Sequence, residues 1–521
     1  MTFIDTGGLP PSGPRSDDRA GGGLDETTAA DHIHGICLKT GPPRRIGVEL
    51  EWLVRDVRDP ALLLPADRIA AAVEGFAANR GHGDHGDNAA PEDNGIQPAN
   101  GARQQHGTGQ NNKIQQDHGD QQDHGDRRTR DERGRGRPEL PSSSRPGFLP
   151  SGALLTSEPG GQLELSSQPA DSLAALITTT SADLTALRAA LAADGLEFAG
   201  IGLDPLRPPC RVLTLPRYAA MEAFFDLGGP WGRQMMCDTA SVQVCLDAGV
   251  DSDGPGGYRW RWRLLHALGP VLVAAFANSP LREGKPTGWV SSRQQVWSQM
   301  DPGRTRAPRL DEDPRSAWAD YALDAQLMCV RGTDSSNWTG PPGLTLRDWI
   351  RGPAPGLRRP TVDDLEYHLS TLFPPVRPRG HFELRMIDAQ PGSGWIVPLA
   401  VCCALLSDAR AEEAAFAAVA PLWGGRPPGW PPAALTDTAR PGPARPGAGD
   451  AGGEGPWLRA ARLGPADPAV SRASRACFTA AREALARMAV PAAVAAAVDA
   501  FTEDYVSRDR CPADDQLEAV K

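Results

Sequence analysis

Apolar and polar residues alternate with a period of two in four short stretches that lie far apart in the chain. In 46–54 (IGVELEWLV), Ile46, Val48, Leu50 and Trp52 fall on one side of a predicted strand, and Glu49 and Glu51 on the other. In 162–166, Leu163 and Leu165 oppose Gln162, Glu164 and Ser166; in 239–247, Val242, Val244 and Leu246 oppose Thr239, Ser241, Gln243 and Asp247. In 381–387, Phe382, Leu384 and Met386 oppose His381, Glu383 and Arg385. Each strand therefore backs a row of carboxylate or amide side chains with an apolar row. A solvated face would mix in lysine, and these rows contain none. If the strands share a sheet, Glu49, Glu51, Glu164 and Glu383 meet on one surface. Carboxylates brought together repel, so such a surface calls for cations, and oxygen-rich sites suit Mg²⁺ or Mn²⁺.

Apolar spacing of the helical kind predicts helices over Ala66–Asn79, Ser172–Asp194 and 257–277, the last bent near Gly269 and Pro270. A helical region precedes the 381–387 strand, and a buried helix starts at Ile396 and runs to Leu406. The Ala-rich end, 465–507, predicts one or two helices interrupted at Pro491. Residues 210–247 read as an entry segment and a strand, and 278–315 as a polar loop.

Composition narrows where a core can lie. The 521 residues include 57 Gly and 50 Pro, concentrated in segments poor in large apolar side chains. Residues 1–40 read as a mobile lead-in, and 424–456 as a Pro/Gly-rich loop. Residues 80–147 hold GHGDHGD, QQDHGDQQDHGD and RRTRDERGRGR, and ordering them would cost entropy with little burial to offset it. They are expected to form a disordered His/Gly/Asp/Gln-rich insertion within a 41–423 catalytic domain, with C-terminal helices over 457–521 packed upon it. Five histidines of the insertion (82, 85, 106, 118, 124) could chelate Zn²⁺ or Ni²⁺ weakly, but a polar tract without catalytic role is the favoured reading.

A net charge of −11 argues against a nucleic-acid partner, despite the basic run at Arg127–Arg137. Nine cysteines without a CxxC pair fit reduced thiols, and no apolar run is long enough to span a bilayer. With no leader-like start, the expectation is a cytoplasmic protein with no membrane partner. No Walker-type GxxxxGK[ST] and no strand-borne GxGxxG occurs, so an ATP user must hold its nucleotide otherwise.

Specific candidates follow. Glu49 and Glu51 stand about 7 Å apart along one strand face, a spacing for one shared metal or a bridged pair. Taken alone such a pair is more often a solvated edge; its repetition in Gln162/Glu164 and Glu383/Arg385 reverses that weighting. Glu158 enters a Pro159-Gly160-Gly161 turn whose glycines permit positive φ or close approach of a ligand. Arg217, Arg293 and Arg385 are candidate anion holders, since a guanidinium grips a carboxylate or phosphate with paired hydrogen bonds.

Several of these segments resemble the glutamate–cysteine ligases. They are Glu49 to Trp52, Glu158 to Ser166, Met235-Met236 leading into Thr239–Asp247, and Ala277 to Gly288. Ser292-Arg293 through Trp297, and His368 through Pro375 to Glu383-Leu384-Arg385, extend the likeness. It spans roughly 45–80 and 148–410 and is nearest the plant and proteobacterial branch, with its actinobacterial relatives that feed ergothioneine synthesis. Asp238 departs from it, standing where plant-type enzymes carry Arg, and the cysteines of the plant regulatory disulfide have no counterpart.

The resemblance implies an α+β, glutamine-synthetase-like carboxylate–amine ligase fold: a curved, mainly antiparallel sheet forming a funnel with helices outside. It implies ATP-dependent joining of the L-glutamate γ-carboxyl to the L-cysteine amine, with Mg²⁺, through γ-glutamyl phosphate. Glu49, Glu51, Glu158, Gln162, Glu164, Gln243 and Glu383 would then form the metal and nucleotide-phosphate shell. Arg217 and Arg293 would hold the glutamate α-carboxylate, and Arg385 the phosphoryl group in flight. A metal-dependent phosphohydrolase, or a non-catalytic metal binder using the His-rich insertion, are the rival classes.

Overall fold

All four alternating segments are strands of one sheet in the computed structural model of the protein, which describes residues 24–41, 45–77, 147–332, 337–352, 356–424 and 455–521. In chain order the strands are β1 (Ile46–Asp56), β2 (Gly147–Phe148), β3 (Leu154–Ser157), β4 (Leu163–Ser166), β5 (Leu196–Ala199) and β6 (Ser241–Leu246). A short hairpin, β7 (Leu281–Arg282) and β8 (Lys285–Pro286), precedes β9 (Val376–Pro378) and β10 (Phe382–Asp388). The sheet runs β2-β3-β4-β1-β6-β10-β9, with β5 pairing the far end of β1, and every pairing is antiparallel. With the helices around it this is an α+β architecture, as expected.

The apolar rows form the covered face. Val48, Leu50, Leu163, Leu165, Val242, Val244 and Leu384 are all buried, beneath helices Leu173–Ala193, Tyr258–Ala275 and Ile396–Leu405. Helix Pro468–Met488 packs behind these. Burying a leucine contributes about 1.5–3 kcal/mol, and a one-residue slip would turn the glutamates into this core, so the apolar rows fix the register. That register sets Glu51 opposite Glu164, and Glu49 between Ser166 and Gln243. On β10 it skips between Leu384 and Ile387, a bulge that carries Asp388 back to the acidic face, opposite Ser241.

Several expectations hold. Ser172 caps the helix that follows it, Pro491 separates helix Pro468–Met488 from Ala492–Asp504, and helix Tyr258–Ala275 continues through Pro270. Others need correction. Residues 26–37 of the expected lead-in are a helix: Asp25 caps it by accepting from the Thr28 amide at 2.7 Å, and Ala29, Ile33 and Cys37, four residues apart, are buried. The entry segment before β6 contains two helices, Pro216–Asp226 and Trp231–Asp238. The polar stretch 278–315 contains helix Ser292–Ser298, started by Ser291 accepting from the Gln294 amide. Side-chain caps start the first and last of these helices, and in each case buried residues outweigh a composition that reads as loop. Helix Pro456–Leu463 begins at the end of the expected 424–456 loop. The His-rich insertion, the first 23 residues and 425–454 lie outside the described residues. Among the described residues no helix is long and apolar enough to cross a membrane, and all nine cysteines are free thiols.

Candidate active site

The acidic face of the sheet floors a cleft lined by Glu51, Glu158, Gln162, Arg293 and Arg385, with apolar walls from Met221, Met235, Met236 and Trp297. Strand geometry delivers the carboxylates. Glu51 accepts from Ser241 Oγ at 2.9 Å and from Gln243 Nε2 at 2.7 Å, while Glu164 accepts from Ser166 Oγ at 3.1 Å. Gln243 is a bridge: its amide oxygen takes a hydrogen bond from Arg385, which also pairs with Glu383.

Glu158 is positioned by the turn before β4. A Cβ on Gly160 would come within 2.2 Å of the Cys237 carbonyl oxygen, and Gly161 has φ of 87°, so both positions need glycine. The Gln162 amide locks this turn: its Oε1 accepts from Gly160 N, and its Nε2 donates to the carbonyls of Met236 and Thr239. Gln162, expected in the metal shell, has its amide spent on the protein itself.

The carboxylates differ in charge state. Burial, then the charges of Glu49, Glu158 and Glu51, push Glu164 up to about 8. Burial and then Glu383 raise Glu49; burial and then Glu51 raise Glu158. Burial acts the same way on Glu383, yet Arg377, Arg385 and Arg379 outweigh it and hold that group well below the usual carboxylate range. Arg377 of β9 grips Glu383 with Nη2 at 2.8 and 2.9 Å and Nε at 3.1 Å. Expected beside the other glutamates as a cation ligand, Glu383 is thus the acid of a buried ion pair. Arg377 was missed because its partner is set by strand pairing.

The arginines occupy different places. Arg293, 1% exposed, donates through Nη2 to the Arg385 carbonyl at 2.8 Å and lies 3.8 Å from Asp388 through Nη1. Its Nε and Nη1 have no hydrogen-bond partner, nor has Nε of Arg385. A buried cation with unused N–H groups on the cleft wall is an anion acceptor. Asp388, also missed, orders this corner by accepting from Ser279 Oγ, Ser291 Oγ and the Asn278 amide. Arg217 is turned the other way, donating to Ser370 Oγ and its carbonyl at 3.2 Å each, with its guanidinium over Tyr367. Its charge also lowers the pKa of Glu158. Asp238 is buried at the end of its helix, and burial, then Asp204, push it up to about 8.

The donor set fits a hard divalent cation. Glu49 has a buried carboxylate oxygen without a hydrogen-bond partner, and the raised acids around it are the charge a cation would balance. Among the described residues no three His, Cys, Asp or Glu converge closely enough to hold a metal by themselves.

Glutamate–cysteine ligase EgtA of Mycolicibacterium smegmatis is 45% identical over 283 residues, 53% of this chain and 64% of that relative, so the chain spans less than two thirds of it. EgtA of Mycobacterium tuberculosis is 40% identical over 380 residues, 71% of this chain and 78% of the relative. The chloroplastic glutamate–cysteine ligase of Medicago truncatula is 34% identical over 241 residues, 45% of this chain and 46% of the relative. The family model for glutamate–cysteine ligase family 2 matches residues 45–426, and the chain belongs to that family.

Proposed function

We propose that the chain joins the γ-carboxyl of L-glutamate to the amine of L-cysteine at the expense of ATP, giving γ-glutamylcysteine, ADP and phosphate, on a glutamine-synthetase-like funnel. The observation that carries this reading is one cleft in which Glu51 and Glu158 stand with Arg293 and Arg385, on the sheet that also carries Glu49 and Glu164. Similarity to the actinobacterial ligases supports assigning the product to ergothioneine synthesis.

A carboxylate is a poor acyl donor because oxide is a poor leaving group. The γ-carboxylate oxygen attacks the γ-phosphorus of ATP, the bond to ADP breaks, and the acyl phosphate forms. The cysteine nitrogen then attacks the acyl carbon, phosphate leaves with its electron pair, and an N–H proton is released. Arg293 holds the α-carboxylate with the N–H groups it leaves unused, while Arg217 lends positive charge from behind Glu158. Arg385, anchored by Glu383 and Gln243, presents its unused Nε toward the phosphoryl group as charge builds there. Glu49, Glu51, Glu158 and Glu164 would hold Mg²⁺, which when bound draws charge from the phosphate oxygens. The methionines and Trp297 exclude water from the acyl phosphate.

Purified protein incubated with ATP, Mg²⁺, glutamate and cysteine, scored by mass, should yield γ-glutamylcysteine. ADP formation of equal rate with both amino acids omitted would instead mark a phosphohydrolase.

A further inference from the structure

The family match ends at residue 426, yet a helix beyond it packs against helix Ser292–Ser298, which carries Arg293. We propose that Trp457, on helix Pro456–Leu463, is a positioning residue for Arg293 and Arg385. The proposal rests on the reading above in so far as Arg293 meets a substrate carboxylate.

The link is a short series of contacts. The Trp457 indole sits on Gly269 of helix Tyr258–Ala275, where a Cβ would lie 1.7 Å from the ring, so glycine makes the notch the ring occupies. From there its Nε1 donates to Gln294 Oε1 at 3.1 Å. An indole N–H only donates, so this contact fixes which way round the Gln294 amide lies. The amide nitrogen must then face the opposite side, where it donates to the Met386 carbonyl at 3.0 Å.

Met386 and its neighbour Arg385 lie in the register gap of β10, where the carbonyl of 385 accepts from Arg293 and that of 386 from Gln294. Two consecutive residues of one short helix thus clamp the bulge that aims Arg385. The same C-terminal segment holds the start of that helix, because the Val290 and Ser291 amides donate to the Arg462 and Ala461 carbonyls at 3.3 and 2.9 Å. Trp457 touches no reacting atom; it sets the direction of the amide that sets the bulge.

Trp457→Phe keeps a ring for the notch and removes the donor. It should raise the glutamate KM about tenfold, with the ATP KM within about twofold, since the contact made before chemistry is the one disturbed. Backbone amides of 292–298 should exchange with solvent about tenfold faster. Gln294→Met attacks the same bond from the other side with the indole left in place. It should give the same split, and adding Trp457→Phe to it should change nothing further. If Trp457→Phe does not fold, Trp457→Leu, which keeps apolar volume over Gly269 and lacks the donor, takes its place, because Gln294→Met also removes the bond to the Met386 carbonyl. Equal glutamate KM and unchanged exchange in these variants would overturn the proposal, as would a fall in Tm with glutamate and ATP KM rising together. If the wild-type protein makes no γ-glutamylcysteine, the function reading fails separately, and amide exchange alone judges the link.

Discussion

Glu383 and Glu164 lie on the same face of the same sheet, both fully buried, and differ in everything that follows from their neighbours. At the β9 end, Glu383 is gripped by Arg377 through both oxygens and touched by Arg385, and stays ionised. Three strands away, Glu164 is ringed by Glu49, Glu158 and Glu51, and burial and their charges raise it to about 8. The first arrangement carries its own counter-charge and is structure. The second is a group of acids with no such counter-charge among them, and is the cation site proposed above. Arg385 stands on the border, held by Glu383 and reaching Gln243, which in turn holds Glu51.

The sharpest way to break this contrast is to neutralise each acid in turn. Glu383→Gln leaves Arg377 and Arg385 buried without their carboxylate and should cost about 3–5 kcal/mol of stability. Glu164→Gln removes like-charge repulsion and should leave the metal-free protein as stable as the parent or more so. Urea denaturation of both variants decides, and equal losses would erase the distinction between the two ends.

Arg385→Met removes the cation at the border. ADP release in the presence of both amino acids should fall about 10²–10³-fold, the scale for one charge-stabilising donor. A loss of a few-fold only would move the phosphoryl-facing role elsewhere.

The two ends should also respond differently to pH. Glu164 has a raised pKa in the folded state, so between about pH 4.5 and about pH 8 the native protein binds the proton that the unfolded chain has released, and stability falls as pH rises. The loss is at most about 1.4 kcal/mol per pH unit for one group. Glu383 has the opposite sign: its contribution is present above the unfolded value and is lost as pH falls through its depressed pKa. Melting temperature against pH, metal-free, should therefore slope less steeply downward toward alkaline pH in Glu164→Gln than in the parent. Identical slopes would show that Glu164 is not the group in question, and added Mg²⁺ should raise the parent Tm more at about pH 8 than at about pH 6.

The smallest expected effect separates cation shell from amino-acid pocket. Arg293→Lys keeps the charge but loses the paired geometry, and should raise the glutamate KM about tenfold with little change for ATP. Glu51→Gln should do the reverse, lowering kcat and weakening Mg²⁺ dependence. Initial-rate kinetics in which the two patterns are exchanged would invert the assignment.

Much of the floor of the cleft was legible because strand alternation is local. Once 46–54, 162–166, 239–247 and 381–387 are strands, their apolar rows must face a core, and Glu49, Glu51, Glu164 and Gln243 have only one other face to occupy. The helical segments hid better. Helix Ser292–Ser298 is short and polar and is started by a Ser291 cap, while the helix carrying Arg217 has no side-chain cap and forms by burying Tyr218, Ala220, Met221 and Phe225. Only a capping Asp25 and apolar residues every fourth position signalled the first helix within a Gly-rich stretch.

By itself, then, the sequence determined which residues share a face, since that follows from a two-residue period along a single segment, and which motifs resemble a ligase. The tertiary structure alone decided which of those carboxylates are neutralised. Arg377 meets Glu383 by strand pairing, Asp388 joins the acidic face through a bulge, and Arg217 turns to Ser370 while Arg293 keeps two N–H groups for the cleft. Charge state depends on distance and burial, and both are set between segments that only folding brings together.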